Sequence, residues 1–211
     1  MKKTTMLLGL IGLFAVATIV AEYGTNRLLV YATKPVTTLL IIMLPFFRSP
    51  VSHCYRRWIV IGLIFSLVGD TFLMWPNTLF LFGLIAFLLA QISYIVAFTR
   101  QTGWSWDRTF LLYLLFGIIV YTVLYPGLGD LALPVLVYIT VILVMGYSAL
   151  LRYRRGATAG ILAVVGSLLF ILSDTSLAFN RFYAPFDLSR LIVLGTYFPA
   201  QVFIALSAGK E

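Results

Sequence analysis

The chain has 211 residues, 62% hydrophobic and 10% charged, with a mean hydropathy of +1.03. A soluble domain carries about 25% charged residues, so this composition excludes one and points instead to repeated membrane crossings. The formal charge of +8 does not signal nucleic acid, because the basic residues lie in short loops between apolar stretches, where Lys and Arg set topology.

Apolar segments follow in chain order at residues 6–21, 28–47, 58–75, 78–99, 110–125, 131–151, 158–179 and 190–208. Turn or charged clusters such as "EYGTNR", "RSPVSHCYRR" and "PGLGD" separate them. Single segments of this length satisfy their own backbone groups as helices, whereas barrel strands would alternate polarity over about ten residues. The expectation is an all-α integral membrane bundle of eight transmembrane helices forming one domain over residues 1–211. The opening "MKKTTMLLGLIGLFAVA" also reads as a cleavable signal peptide, but an internal repeat needs this segment. "GDTFL" in the third segment matches "SDTSL" in the seventh, and "KPVTTLL" in the second faces "LPVLVYI" in the sixth. A 4+4 parallel arrangement related by an axis along the membrane normal follows.

Orientation comes from the cations. Lys2, Lys3, Arg48, Arg56, Arg57, Arg100, Arg108, Arg152, Arg154, Arg155 and Lys210 fall on one side, and only Arg27, Arg181 and Arg190 on the other. Both termini are therefore expected in the cytoplasm, which in a bacterium means a multi-pass protein of the inner membrane. Trp58, Trp75, Trp104 and Trp106 are candidate interface anchors. The single Cys54, with only His53 beside it, excludes an intrachain disulfide and supplies no zinc ligand set. No nucleotide loop, Ser-His-Asp order or metal-ligand spacing is present, and neither metal nor cofactor is expected.

Two acids stand inside the apolar segments, Asp70 in "SLVGDTFLMW" and Asp174 in "FILSDTSLAF". Each lies roughly 8 Å from the outer end of its helix at 1.5 Å per residue, and Lys34 lies roughly 9 Å down the second segment. Tyr197 reaches a similar level. An ionisable residue within a membrane helix costs about 2.5–3.5 kcal/mol at its centre and faces the bundle interior. A strut pairing Lys34 with one Asp would leave the other carboxyl without a counter-charge, and in low dielectric such a group favours its protonated form. A neutral acid beside an ionised partner is the pattern of an acid-base pair, so Asp70 and Asp174 are the candidate catalytic residues. Gln91 and Tyr94 share a helix face, and Gln201 lies one turn from Tyr197; all three either line the cavity or bond a neighbouring helix. Asn180 and Arg181 stand at the outer rim, where Arg181 either contacts a phosphate or snorkels to water.

"TKP" at 33–35, "GLIFSLVGDTFL" at 62–73, "FLFGLIAFLLAQISYIVAF" at 80–98, "GSLLFILSDTSLAFNRF" at 166–182 and "TYFPAQVFIAL" at 196–206 resemble the YhhN-like lysoplasmalogenase family. The resemblance spans nearly the whole chain. It implies a multispanning membrane enzyme that cleaves the vinyl ether bond of lysoplasmalogen, releasing a fatty aldehyde and glycerophospho-ethanolamine or -choline. Many members carry His where this chain has Gln91, which argues against that position as an obligatory acid here. Vinyl ether hydrolysis begins with protonation of the outer alkene carbon and continues through an oxocarbenium ion. One acid and one stabilising anion suffice, a division of labour akin to that of glycosidase carboxylates. Lys34 then tunes one Asp or contacts the phosphate, and Tyr197 orients water or substrate. Two rival expectations stand beside this one. A proton-coupled carrier would show broken helices with unwound middles near Pro35, Pro134 or Pro199. A non-catalytic lipid-binding protein would use the two Asp residues only to bond neighbouring helices.

Overall fold

The structure, a computed structural model, describes residues 2–24, 26–100 and 102–210, the side chains of residues 76 and 77 aside. Helix α1 spans Lys2–Tyr23, α2 Arg27–Met43, α3 His53–Phe72, α4 Pro76–Arg100, α5 Thr109–Leu128, α6 Ala132–Arg154, α7 Gly160–Phe182 and α8 Ser189–Leu206. Short 3-10 turns at Leu44–Phe46 and Gly129–Leu131 extend α2 and join α5 to α6. Among the described residues there is no strand, and the protein is an integral membrane helical bundle. Its outer surface suits lipid. Leu111, Leu112, Leu115, Ile118 and Ile119 of α5 are each more than half exposed, as are Met6, Leu13, Val16 and Val20 of α1, an apolar surface far larger than a water-soluble protein exposes.

Six stretches are long and apolar enough to cross a membrane, one of them Thr109–Arg154 with α5 and α6 inside it. Helix α3 is not among them, because Arg56, Arg57 and Asp70 put three charges into its 20 residues. It also starts five residues before the sequence expectation. Ser52 is the reason: its side chain accepts from the Tyr55 backbone N–H at 3.1 Å and caps the helix, so Arg56 and Arg57 belong to the first two turns rather than to a loop. At the outer side α5 continues past 125 through Pro126 to Leu128.

Helix α3 buries Tyr55, Ile59, Gly62, Leu63, Ser66, Gly69 and Asp70. This is one stripe at helical spacing, and Asp70 occupies its outermost position. Glycines let the neighbours approach. A Cβ on Gly62 would stand 2.3 Å from the Tyr94 ring of α4, and one on Gly166 2.9 Å from the Ala200 carbonyl oxygen of α8. Gly62 precedes Asp70 by the same eight residues as Gly166 precedes Asp174. Packing pairs repeat as well: α3 on α4 and α7 on α8, α2 on α3 and α6 on α7, α4 on α6 and α8 on α2. The C-terminal end of helix α1 meets the start of α8, where Tyr23 Oη donates to the Asp187 carbonyl at 3.2 Å and Arg190 Nη1 donates to the Glu22 carbonyl at 2.7 Å.

Gly166→Ala is expected to destabilise by about 1–3 kcal/mol, since the new methyl meets backbone that cannot rotate away. Gly195→Ala at an exposed position of α8, with nothing within 4 Å of the added Cβ, should be neutral or slightly stabilising. Thermal melting of the two variants in one detergent compares them directly.

Candidate functional site

Asp70 is satisfied on both oxygens by three different side chains. Lys34 Nζ lies 3.3 Å from Oδ1, while Oδ2 accepts from Thr38 Oγ1 at 2.7 Å and from Tyr197 Oη at 2.8 Å. Lys34 and Thr38 are four apart on α2, so one helix face presents both. Tyr197 comes from α8. Its ring is held nearly perpendicular to Phe87 and Phe170, with centroids 5.9 and 5.7 Å away, and this edge-to-face packing fixes where the hydroxyl points. Asp70 is almost fully buried, yet every lone-pair direction it needs is met.

Asp174 is placed differently. Its Oδ2 accepts a short hydrogen bond from the Tyr138 hydroxyl of α6, and it enters no ion pair among the described residues. It is only partly covered, and both carboxylates line one chamber of about 90 Å³ together with Lys34, Tyr138 and Tyr197. Apart from Ser173 and Thr175 the remaining wall is apolar, with Phe87 from α4, Val120 and Leu124 from α5, Val135, Ile139 and Ile142 from α6. Lys34, Leu73, Phe80, Leu177, Val193 and Leu194 also line a second, wider cavity of about 730 Å³, the vestibule.

Of the candidates named from sequence, the fold brings Asp70, Asp174, Lys34 and Tyr197 into the chamber and Asn180 and Arg181 into the vestibule. Asn180 Oδ1 also accepts from the Phe186 backbone N–H at 3.1 Å. Gln91, Tyr94 and Gln201 are fully buried and line neither cavity. Tyr94 Oη donates to Gln201 Oε1 at 3.2 Å and lies 3.3 Å from Ser66 Oγ, which ties α3, α4 and α8 together beneath the chamber. The Gln91 amide lies near the Tyr138 hydroxyl but outside hydrogen-bonding geometry. Thr38 and Tyr138 are the site residues that the sequence reading missed. Thr38 was legible as the residue one turn beyond Lys34. Tyr138 lies in the "LPVLVYI" stretch, one turn beyond Pro134, and nothing in the local sequence marked it.

The arrangement sets an anion with a fixed counter-ion beside a second carboxyl that lines the same chamber and, among the described residues, pairs with no cation. Among the described residues no group of three or more His, Cys, Asp or Glu is placed to hold a metal ion.

Comparison with known proteins follows the same residues. The chain is 37% identical over 165 residues to lysoplasmalogenase TMEM86A of Bos taurus, covering 75% of this chain and 68% of the relative. It is 35% identical over 157 residues to lysoplasmalogenase TMEM86B of Homo sapiens, covering 73% and 64%. To the membrane protein YhhN of Shigella flexneri it is 25% identical over 177 residues, covering 82% and 84%. No solved structure matches. The YhhN family profile matches residues 29–208, a range that holds both acids, Lys34 and Tyr197, and the chain belongs to the YhhN family.

Proposed function

We propose that this protein hydrolyses the vinyl ether bond of a lysoplasmalogen, with Asp174 as the general acid and Asp70 as the anion that stabilises the oxocarbenium ion. The single observation that carries the assignment is the unequal surroundings of two carboxyls in one chamber. Lys34 compensates Asp70, and an uncompensated charge in low dielectric is costly, so the proton belongs on Asp174, where Tyr138 holds the carboxyl by its other oxygen. Relatives that carry the name lysoplasmalogenase support the reaction class.

The steps balance. Asp174 gives its proton to the outer alkene carbon, and the electron pair of the double bond forms the new C–H bond. The ether oxygen then shares the resulting positive charge, beside the Asp70 anion. Water adds to the carbon bonded to oxygen and gives a proton back to Asp174. The hemiacetal then breaks its C–O bond to the glycerol side as its hydroxyl gives up its proton and the leaving oxygen takes one up, so that a fatty aldehyde and an alcohol leave with no net change in protons. Tyr197, already bonded to Asp70, is placed to orient that water.

We further propose that all of α1 to α8 cross the membrane in a 4+4 parallel repeat with both termini cytoplasmic, which in a bacterium is the inner membrane. The paired packing of the halves and the glycines at equal spacing from the two acids support this. Helices α2 and α8 run unbroken through Pro35 and Pro199, and Pro134 sits in the first turn of α6, where proline is tolerated. A carrier with unwound helix middles finds no support in that geometry.

Asp174→Asn and Asp70→Asn are each expected to lower aldehyde release per folded molecule by about 10²–10⁴-fold; the melting temperature should stay near that of the wild type for Asp174→Asn and fall for Asp70→Asn, which leaves Lys34 without its buried partner. The double variant should cost little more than the worse single one, since groups acting as a unit are not additive. Activity per folded molecule retained in both single variants sinks the catalytic reading. Run in D2O, the reaction should place one solvent deuteron on the carbon next to the aldehyde; an aldehyde free of deuterium there excludes carbon protonation.

Orientation has a test built into the chain. Cys54, the single cysteine, is exposed at the start of α3 and should react with an impermeant maleimide only from the cytoplasmic side. A Tyr183→Cys variant on a Cys54→Ser background should react from the opposite side. The reverse pattern overturns the topology.

A further inference from the structure

The vestibule has a charge pattern that hydrolysis of the ether bond does not use. Four cationic side chains line it, Arg27, Lys34, Arg181 and Arg190, against the one carboxylate of Glu22. Lys34 is held by Asp70 beneath it. Counting that acid, four cations face two carboxylates, a formal surplus of two positive charges beside an apolar chamber. An anion is the natural occupant of such a space.

The cations are not equivalent. Arg190 is engaged, with Nη1 on the Glu22 carbonyl at 2.7 Å and Nε 3.9 Å from Glu22 Oε2. The latter distance is too long for a hydrogen bond, so the Glu22 carboxylate keeps acceptor capacity inside the vestibule. Arg181 lies over the Phe80 ring at 3.9 Å, and Phe80 lines vestibule and chamber alike. Its guanidinium thus stands at the junction of the two cavities. Arg27 begins α2 on the wall beyond it.

The same vestibule carries a second kind of surface. Tyr31 and Trp75 stack at 5.1 Å between centroids, and both line the vestibule with Glu22. Aromatic faces beside a carboxylate are a receptor for an ammonium group, above all a quaternary one. A volume of about 730 Å³ is far larger than a free phosphate needs.

We propose that the vestibule binds a zwitterionic phosphodiester headgroup, Arg27 and Arg181 meeting the phosphate, and Glu22 with the Tyr31–Trp75 pair meeting the ammonium. The identification of this headgroup as that of the substrate rests on the function proposed above; the binding site itself does not. A ligand placed this way has its phosphate at the junction and the first atoms of its single chain directed toward the chamber, with a glycerol unit between phosphate and carboxylates. Arg190 is a positioning residue here, holding Glu22 rather than the ligand.

Equilibrium binding of labelled glycerophosphocholine to the purified full chain in detergent tests this without any turnover. Binding should be at least about tenfold tighter than that of inorganic phosphate or glycerol 3-phosphate, the difference of one charge-assisted contact. Arg27→Gln with Arg181→Gln should weaken it by about tenfold or more, and the corresponding double Lys variant should recover part of the loss. Glu22→Gln or Trp75→Leu should weaken glycerophosphocholine and leave glycerol 3-phosphate unchanged. Melting temperatures of the same preparations show that the variants are folded. Inorganic phosphate binding as tightly as glycerophosphocholine would make this a site for free phosphate and overturn the proposal, as would binding indifferent to both sets of variants. Headgroup binding and aldehyde release measured on the same wild-type preparation separate the two readings. Full glycerophosphocholine binding with no aldehyde from wild-type enzyme supports the headgroup site and removes the hydrolase; normal aldehyde release with no headgroup binding does the reverse.

Discussion

Everything at the centre of this bundle depends on how one buried carboxylate is held. Asp70 receives a cation from α2 at 3.3 Å and hydroxyl donors from α2 and α8 at 2.7 and 2.8 Å, so three helices converge on it. Inserting a charge into a membrane helix costs about 2.5–3.5 kcal/mol, and breaking a buried pair by removing one partner costs about 3–5 kcal/mol. The Lys34–Asp70 pair is thus a strong constraint on the mutual placement of α2 and α3. It also decides the electrostatics of the chamber, because the only lysine within reach is already committed.

The two acids have partly similar surroundings. The acid of α7 meets a hydroxyl from α6 as the acid of α3 meets one from α2. Where α2 has Lys34 before Pro35, α6 has Leu133 before Pro134. Asp70 is therefore compensated by a cation, and Asp174, among the described residues, is not. The arrangement requires neither strain nor unusual backbone at either acid, and the described residues contain no cis peptide bond.

The cavities divide along the same line. The chamber is apolar apart from its acids, lysine and hydroxyls, while the vestibule above carries arginines, a glutamate and an aromatic pair. A lipid with one chain and a charged head has the complementary form. Phe80 and Lys34 belong to both spaces, so contacts with the head are made a short distance from the reacting bond, where binding energy is most readily used to position it.

Helices, their approximate ends, the membrane setting and the acids were legible from the sequence because each is a local property. A 20-residue apolar run must satisfy its own backbone, and an aspartate within it must face the interior. Lys34 and Tyr197 were legible for the same reason, as polar groups at the depth of the acids. What local spacing could not decide was which partner each polar group meets. Gln91 and Tyr94 share a helix face, yet Tyr94 turns to Gln201 and Ser66 while Gln91 lies near Tyr138, and neither reaches the chamber. Tyr138 reads as an ordinary aromatic of an apolar helix until α6 is laid against α7. The start of α3 at Ser52 was written in the sequence as a capping serine, but the charges after it masked the signal. Hydropathy and charge determined that two acids are buried in a membrane bundle; only the packing of α2, α6 and α8 around them decided that Lys34 compensates Asp70 and leaves Asp174 alone, because that choice depends on distances between helices far apart in the chain.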